Sequence, residues 1–208
     1  MLALALKNSA LTGITRLIDV FSLSAMKLAD GEIVQLDNVN NTAISEDVYF
    51  HIIKNKTAAL FASCAESGAL TVGASEEDLR KLYEFGETIG ICFQIRDDIF
   101  DYYSKDVGKP TGNDMREGKL TLPAIYAVNH SDDEEVREKA LRIRSLTASE
   151  DEIQEFIQYV INSGGIDYAR GVMAELHDKA LRCIPESAPQ DVIDGLKAYL
   201  NFVSDREI

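Results

Sequence analysis

At 208 residues the chain is long enough for one well-buried domain, and its 46% hydrophobic share is ordinary for a globular protein. A net charge of −14 excludes nucleic acid or an anionic membrane surface as partners held by bulk charge, so any anion-binding pocket must be built locally. No apolar run approaches a membrane span. Three cysteines without paired spacing (Cys64, Cys92, Cys183) and three scattered histidines (His51, His130, His177) offer neither a disulfide framework nor a zinc site, which points to a reduced, cytoplasmic setting.

Met1–Leu6 is apolar like part of a signal peptide. It has no basic residues before it and no clear cleavage site after it, so it reads as the start of a helix. Residues 2–29 lack proline and carry apolar residues at helical spacing, with a break expected near Thr12-Gly13. The helix then continues through Gly31-Glu32-Ile33 and Gln35. Polar residues 37–41 read as a turn. Ser45 is an expected N-cap, with Glu46 and Asp47 opposing the helix dipole. A helix over about 46–67 offers Tyr49, Ile52, Ile53, Leu60 and Phe61 to the core, with Lys56-Thr57 between them. On pattern alone, Lys56 is a solvated helix lysine. Cys64 and Cys92 lie in apolar helical stretches and are expected in the core. Residues 65–73 are small and turn-rich. Ser75 with Asp78 opens the next helix, which runs to about 101 and is long enough for a kink at Gly86 or Gly90.

That helix carries the densest signal in the chain, FQIRDDIFDYYSKDVGKPTGNDMREGKLTLP over residues 93–123. At about 100° per residue, Gln94, Asp97, Asp98 and Asp101 share one stripe roughly 100° wide. Three like charges on a stripe repel unless a cation sits among them. Phe93, Ile95, Ile99 and Phe100 bury the rest of the helix, so the acidic stripe is expected to line a cavity. Magnesium suits it, because this hard ion is held by one or two carboxylates plus waters and phosphates. An EF-hand is excluded, since its ligands alternate along a loop with a central glycine. The following loop, marked by Gly108, Pro110, Gly112 and Gly118, carries Lys109 and Lys119. Flexible lysines beside metal-binding carboxylates suit a metal–phosphate pair. Thr121 and Pro123 then start a helix.

Beyond residue 123 the spacing predicts a short apolar helix, then a capping box at Ser131 and Glu134. A charged, solvated helix face follows over 132–144. Thr147 with Glu150 marks the next start, and Gly164-Gly165 ends that helix. Two further helices cover 166–183 and 190–203. With no alternating strand pattern, repeat or linker, the fold class is all-α, a multi-helix bundle in a single helical domain over residues 1–208.

The 93–123 run resembles the second aspartate-rich region of the trans-isoprenyl diphosphate synthases, the polyprenyl synthetase family. The pattern is FQ-x-x-DD-x-x-D, then GK-P-x-G-x-D, then GK-x-TLP. It is matched at Phe93, Gln94, Asp97, Asp98, Asp101, Gly108, Lys109, Pro110, Gly112, Asp114, Gly118, Lys119, Thr121, Leu122 and Pro123. Lys56-Thr57 resembles the family's KT-A-x-L motif, which reverses the solvated reading of Lys56. Gly31, Glu32, Gln35 and Leu36 resemble its GE-x-x-Q-L segment. We read that segment as a helix whose glycine admits a close neighbour.

The resemblance implies an isoprenoid-synthase bundle catalysing head-to-tail condensation of isopentenyl diphosphate with an allylic diphosphate. It implies that Asp97 and Asp98, with Asp101 in support, hold Mg2+. Lys56, Lys109 and Lys119 would grip the allylic diphosphate, and Thr57 and Gln94 would present oxygens near the carbocation. It also implies a homodimer. The family's first aspartate-rich motif with its arginine pair is missing, and the downstream Asp132-Asp133-Glu134-Glu135 run lacks the arginines. In family terms the chain is N-terminally truncated, weak or inactive alone, and expected to expose an apolar groove. Two alternatives stand beside this reading. One is a non-catalytic or regulatory partner of a complete synthase. The other is an acidic helical interaction module.

Overall fold

A computed structural model of the chain describes residues 2–38, 45–103 and 112–204. Eleven α-helices and one π turn make up the described residues. They are α1 (Leu2–Leu11), α2 (Thr15–Asn38), α3 (Glu46–Ile53), the π turn (Lys54–Ala58), α4 (Ala59–Thr71), α5 (Glu76–Phe100), α6 (Asn113–Arg116), α7 (Leu122–Asn129), α8 (Glu134–Arg144), α9 (Glu150–Asn162), α10 (Gly165–Arg182) and α11 (Gln190–Ser204). The all-α expectation holds.

α5 is the central rod, packed against α4 on one side and α10 on another. Its start is set as the sequence suggests: the Ser75 hydroxyl accepts from the Asp78 N–H at 3.1 Å, and Glu76, Glu77 and Asp78 fill the first turn. Gly86 and Gly90 do not interrupt α5. The glycines serve contact with α4 instead. A Cβ at Gly86 would lie 2.6 Å from the Phe61 carbonyl oxygen, and one at Gly90 would lie 2.5 Å from Ala58 Cα. Two helices approach this closely only where side chains are absent.

The core has two lobes around α5. One gathers Tyr49, Ile95, Ile99, Leu122, Phe156 and Val160 from α3, α5, α7 and α9. The other gathers Phe85, Ile89, Cys92, Ile184, Leu200 and Val203. Buried Arg96 ties α5 to the end of α11, donating to the carbonyls of Phe202 and Val203 at 2.9 and 2.6 Å. A cation there complements the C-terminal end of the α11 dipole.

Several local expectations are corrected. The helix from residue 46 continues to Thr71 through the π turn, absorbing most of the stretch read as a turn. Leu60 is 56% exposed, and Cys64 is exposed too, because both point away from the α4–α5 seam; Cys92 is buried as expected. α8 is capped by Asp133, whose carboxylate accepts from the Glu135 N–H, while Ser131 accepts from Asp133. α9 starts at Ser149 with a capping box to Glu152, because Thr147 is engaged with the Arg142 carbonyl of the preceding turn. The charged face of α8 is laced as read, by Lys139–Glu155 and Arg142–Glu152. On α2, Leu23, Met26, Leu28, Ile33 and Leu36 are exposed. Among the described residues no helix is long and apolar enough to cross a membrane.

Candidate functional site

A cleft of about 350 Å³ opens where the C-terminal ends of α2 and α5, the π turn and the 117–121 loop converge. Lys56, Thr57, Gln94, Asp97, Asp98 and Lys119 all line it. Six of the eight residues singled out by sequence therefore meet in one cavity. Lys109 lies outside the described residues. Asp101 does not line the cleft.

Asp98 is the hub. It is buried, and its two oxygens are held from different helices: Tyr49 donates its hydroxyl to Oδ2 at 2.5 Å, and the Gln94 amide donates to Oδ1 at 2.9 Å. The Gln94 carbonyl oxygen accepts in turn from the Thr57 hydroxyl at 2.9 Å. A continuous line of hydrogen bonds thus runs from the π turn across α5 to α3. Such a line fixes the rotamers of all four side chains. Burial pushes the Asp98 carboxyl up to about 8; the charges of Asp114 and Asp97 add to this, against the two donors.

Asp97 is exposed at the mouth of the cleft, and Asp114 faces it from the start of α6. Burial, then the neighbouring Asp101 charge, push Asp114 up to about 6. Three carboxyls crowding one cavity, two of them shifted upward, form a site that gains from a bound cation. Among the described residues no three carboxylates converge closely enough to hold an ion alone.

Asp101 is turned aside by the end of its helix. α5 stops at Phe100, and the Asp101 carboxylate caps α6, accepting from the N–H groups of Asn113 and Asp114 at 3.0 Å each. Its stripe position was legible, but the helix does not continue far enough to keep it on the stripe.

The two described lysines line the same cleft as the carboxylates. Lys56 reaches Glu32 at 2.6 Å and Gln35 at 3.1 Å on α2. Lys119 pairs with Glu117 in its own loop. Gly31 gives α2 its close approach to the π turn: a Cβ there would lie 2.9 Å from the Lys56 backbone nitrogen. The wide turn is closed by the Ala59 N–H reaching back to the Lys54 carbonyl, a five-residue step. Arg144 completes the far wall, donating to the Asn38 carbonyl at the end of α2.

Sequence reasoning missed Tyr49 as a partner of Asp98, and it left Asp114, Glu117 and Arg144 without roles. Tyr49 carried a usable signal. It lies seven residues before Lys56, and a buried tyrosine hydroxyl needs a partner.

This cleft brings two lysines and several carboxylates into one lining, a mix suited to a polyanion. Residues 1–180 match the family model described as polyprenyl synthetase. The chain belongs to the polyprenyl synthetase family. Among its relatives, the octaprenyl diphosphate synthase of Escherichia coli K12 is 30% identical over 93% of this chain and 61% of that protein. The crystal structure of geranylgeranyl pyrophosphate synthase from Bacteroides thetaiotaomicron superposes with a TM-score of 0.91 and 44% identity, covering 98% of this chain and 68% of that one. A polyprenyl synthase from Caulobacter crescentus CB15, complexed with calcium and isoprenyl diphosphate, gives a TM-score of 0.83 and 30% identity over 93% of this chain and 60% of that one. This polyprenyl synthetase chain spans about three fifths of the length of the curated relatives it matches.

Proposed function

We propose that this chain carries the diphosphate-binding side of a prenyltransferase site, in a protein that joins isopentenyl diphosphate head-to-tail to an allylic diphosphate. The observation that supports the reading is that Asp97, Asp98 and Asp114 line one cleft together with Lys56 and Lys119. The hard step in this chemistry is expulsion of diphosphate from an allylic carbon. It needs preorganised charge on the leaving group rather than a nucleophile or a protein base.

In this reading Asp97 and Asp98 hold magnesium, with Asp114 added from the structure and Asp101 moved to a supporting, capping role. Bound magnesium neutralises diphosphate oxygens and stabilises the charge that develops on them. The Caulobacter crescentus relative, complexed with calcium and isoprenyl diphosphate, supports a divalent ion and a diphosphate as ligands in this reading. Lys56 and Lys119 hold the diphosphate from two sides, together with Lys109. The Thr57 hydroxyl oxygen and the Gln94 carbonyl oxygen sit where an electron-poor carbon would benefit from them. Tyr49 and Gln94 fix Asp98, so that the site needs little rearrangement on binding.

Titration calorimetry with inorganic pyrophosphate, with and without Mg2+, tests the site. Binding should require Mg2+, and it should be lost in the Asp97→Ala, Asp98→Ala double variant. Metal-independent binding that survives the double variant would refute the reading. Condensation of farnesyl diphosphate with radiolabelled isopentenyl diphosphate, run beside the same variant, tests transfer by this chain itself.

A further inference from the structure

Both described lysines of the site are already neutralised by glutamates of this chain. Lys56 meets Glu32 on α2 at 2.6 Å, and Lys119 meets Glu117. The two glutamates come from different elements and share one trait: each is the charge partner of a lysine that lines the cleft, Glu32 from outside the lining and Glu117 from within it. Glu117 is the more telling. It lines the cleft, and its carboxylate is held below the usual range by the Lys119 hydrogen bond and charge and, at longer range, by the charge of Lys56. One carboxylate thus sits within the field of both cations.

Neither glutamate is fixed by burial. Their side chains are 48% and 63% exposed, so both can swing into water without leaving a buried charge behind. The lysines, at 34% and 41%, are the more enclosed partners. Lys56 also keeps a neutral acceptor in Gln35. The charge partner is replaceable while the orienting amide stays.

We infer that Glu117 and Glu32 are place-holding counter-ions. They pair with the lysines whenever no anion is bound, and a diphosphate must displace them to bind. This rests on the reading of Lys56 and Lys119 as diphosphate ligands. The device sets specificity by charge. A weakly charged anion cannot outcompete a tethered carboxylate, whereas a diphosphate carrying several charges and a metal can. It also keeps two lysines from repelling each other across an empty cleft.

The test is the affinity for inorganic pyrophosphate at saturating Mg2+, measured by calorimetry for six forms of the chain. They are the wild type, Glu117→Gln, Glu32→Gln, Lys56→Ala, Lys119→Ala and a remote control, Glu186→Gln. Each neutralised glutamate should tighten binding by about two- to five-fold, the worth of an exposed ion pair. The gain should shrink as salt is raised. Glu186, exposed near the far end of α5 where its charge is felt by Lys81, should change nothing and so controls for net charge. If the lysine variants weaken binding but neither glutamine variant tightens it beyond the control, the counter-ion inference fails while the reading of the site stands. If the lysine variants leave affinity unchanged, the reading of the site fails and the inference falls with it. A glutamine variant that weakens binding would make that glutamate a positioning residue and overturn the proposal.

Discussion

Replacing Asp98 by asparagine should flatten the pH dependence of stability of the metal-free chain between pH 6 and 8. In the folded chain the Asp98 carboxyl is pushed up to about 8, mainly by burial, from an ordinary value of 3.8. Above pH 4 the unfolded chain has given up this proton and the folded chain has not. The folded state therefore binds more protons, and stability falls as pH rises. The slope is about 1.4 kcal/mol per pH unit, tapering as the group ionises near 8, which amounts to about 2 kcal/mol between pH 6 and 8. Asp114, pushed up to about 6, contributes the same sign mostly below this window. Urea unfolding followed by circular dichroism in EDTA, at half-unit steps from pH 6 to 8, measures the effect. The difference between wild type and Asp98→Asn should change steadily across the window, with the variant relatively more stable at the alkaline end. Titrating groups remote from Asp98 cancel in that difference. Parallel curves would show that Asp98 ionises as it does in the unfolded chain, and the account of a buried carboxyl awaiting a cation would be wrong.

Gly90→Ala should destabilise the chain by about 2 kcal/mol. Its Cβ would meet Ala58 Cα at 2.5 Å, which outweighs the helix-propensity gain of about 1 kcal/mol, whereas Gly68→Ala, with nothing within 4 Å, should stabilise by up to that amount. Urea midpoints of the two variants measured side by side decide this, and equal shifts would contradict the close α4–α5 contact. Asp101→Ala should cost about 0.5–2 kcal/mol in the metal-free chain, because two N–H groups at the start of α6 lose their acceptor. An unchanged urea midpoint would return Asp101 to a purely metal-binding role.

Much of this architecture is legible in the sequence because its signals are local. Ser45 and Ser75 cap the helices they precede, and the break at Thr12-Gly13 falls between α1 and α2. The stripe of Gln94, Asp97 and Asp98 follows from helical spacing alone. What escaped depends on partners distant in sequence. Gly86 and Gly90 look like hinge residues until α4 is laid against them. Asp101 keeps its stripe position only if the helix runs on, and where it stops is decided by α6 needing a cap. Leu60 and Cys64 have core composition but sit on the wrong side of a helix whose register the π turn has rotated. The Ser149 start of α9 lost to Thr147 in the sequence because both offer a hydroxyl. Only packing shows that Thr147 is already engaged.

The π turn also makes one helical rod carry two phase relations. On an uninterrupted helix Tyr49 and Ala58, nine residues apart, would point about 180° from each other; with one residue absorbed in the wide turn they lie about 80° apart. Only then can Tyr49 reach Asp98 while Ala58 seats against Gly90 of the same neighbouring helix. Length here is therefore a constraint independent of residue type. A chain lacking Asn55 would keep every side chain that touches the cleft, yet it could satisfy one half of the rod only by dephasing the other.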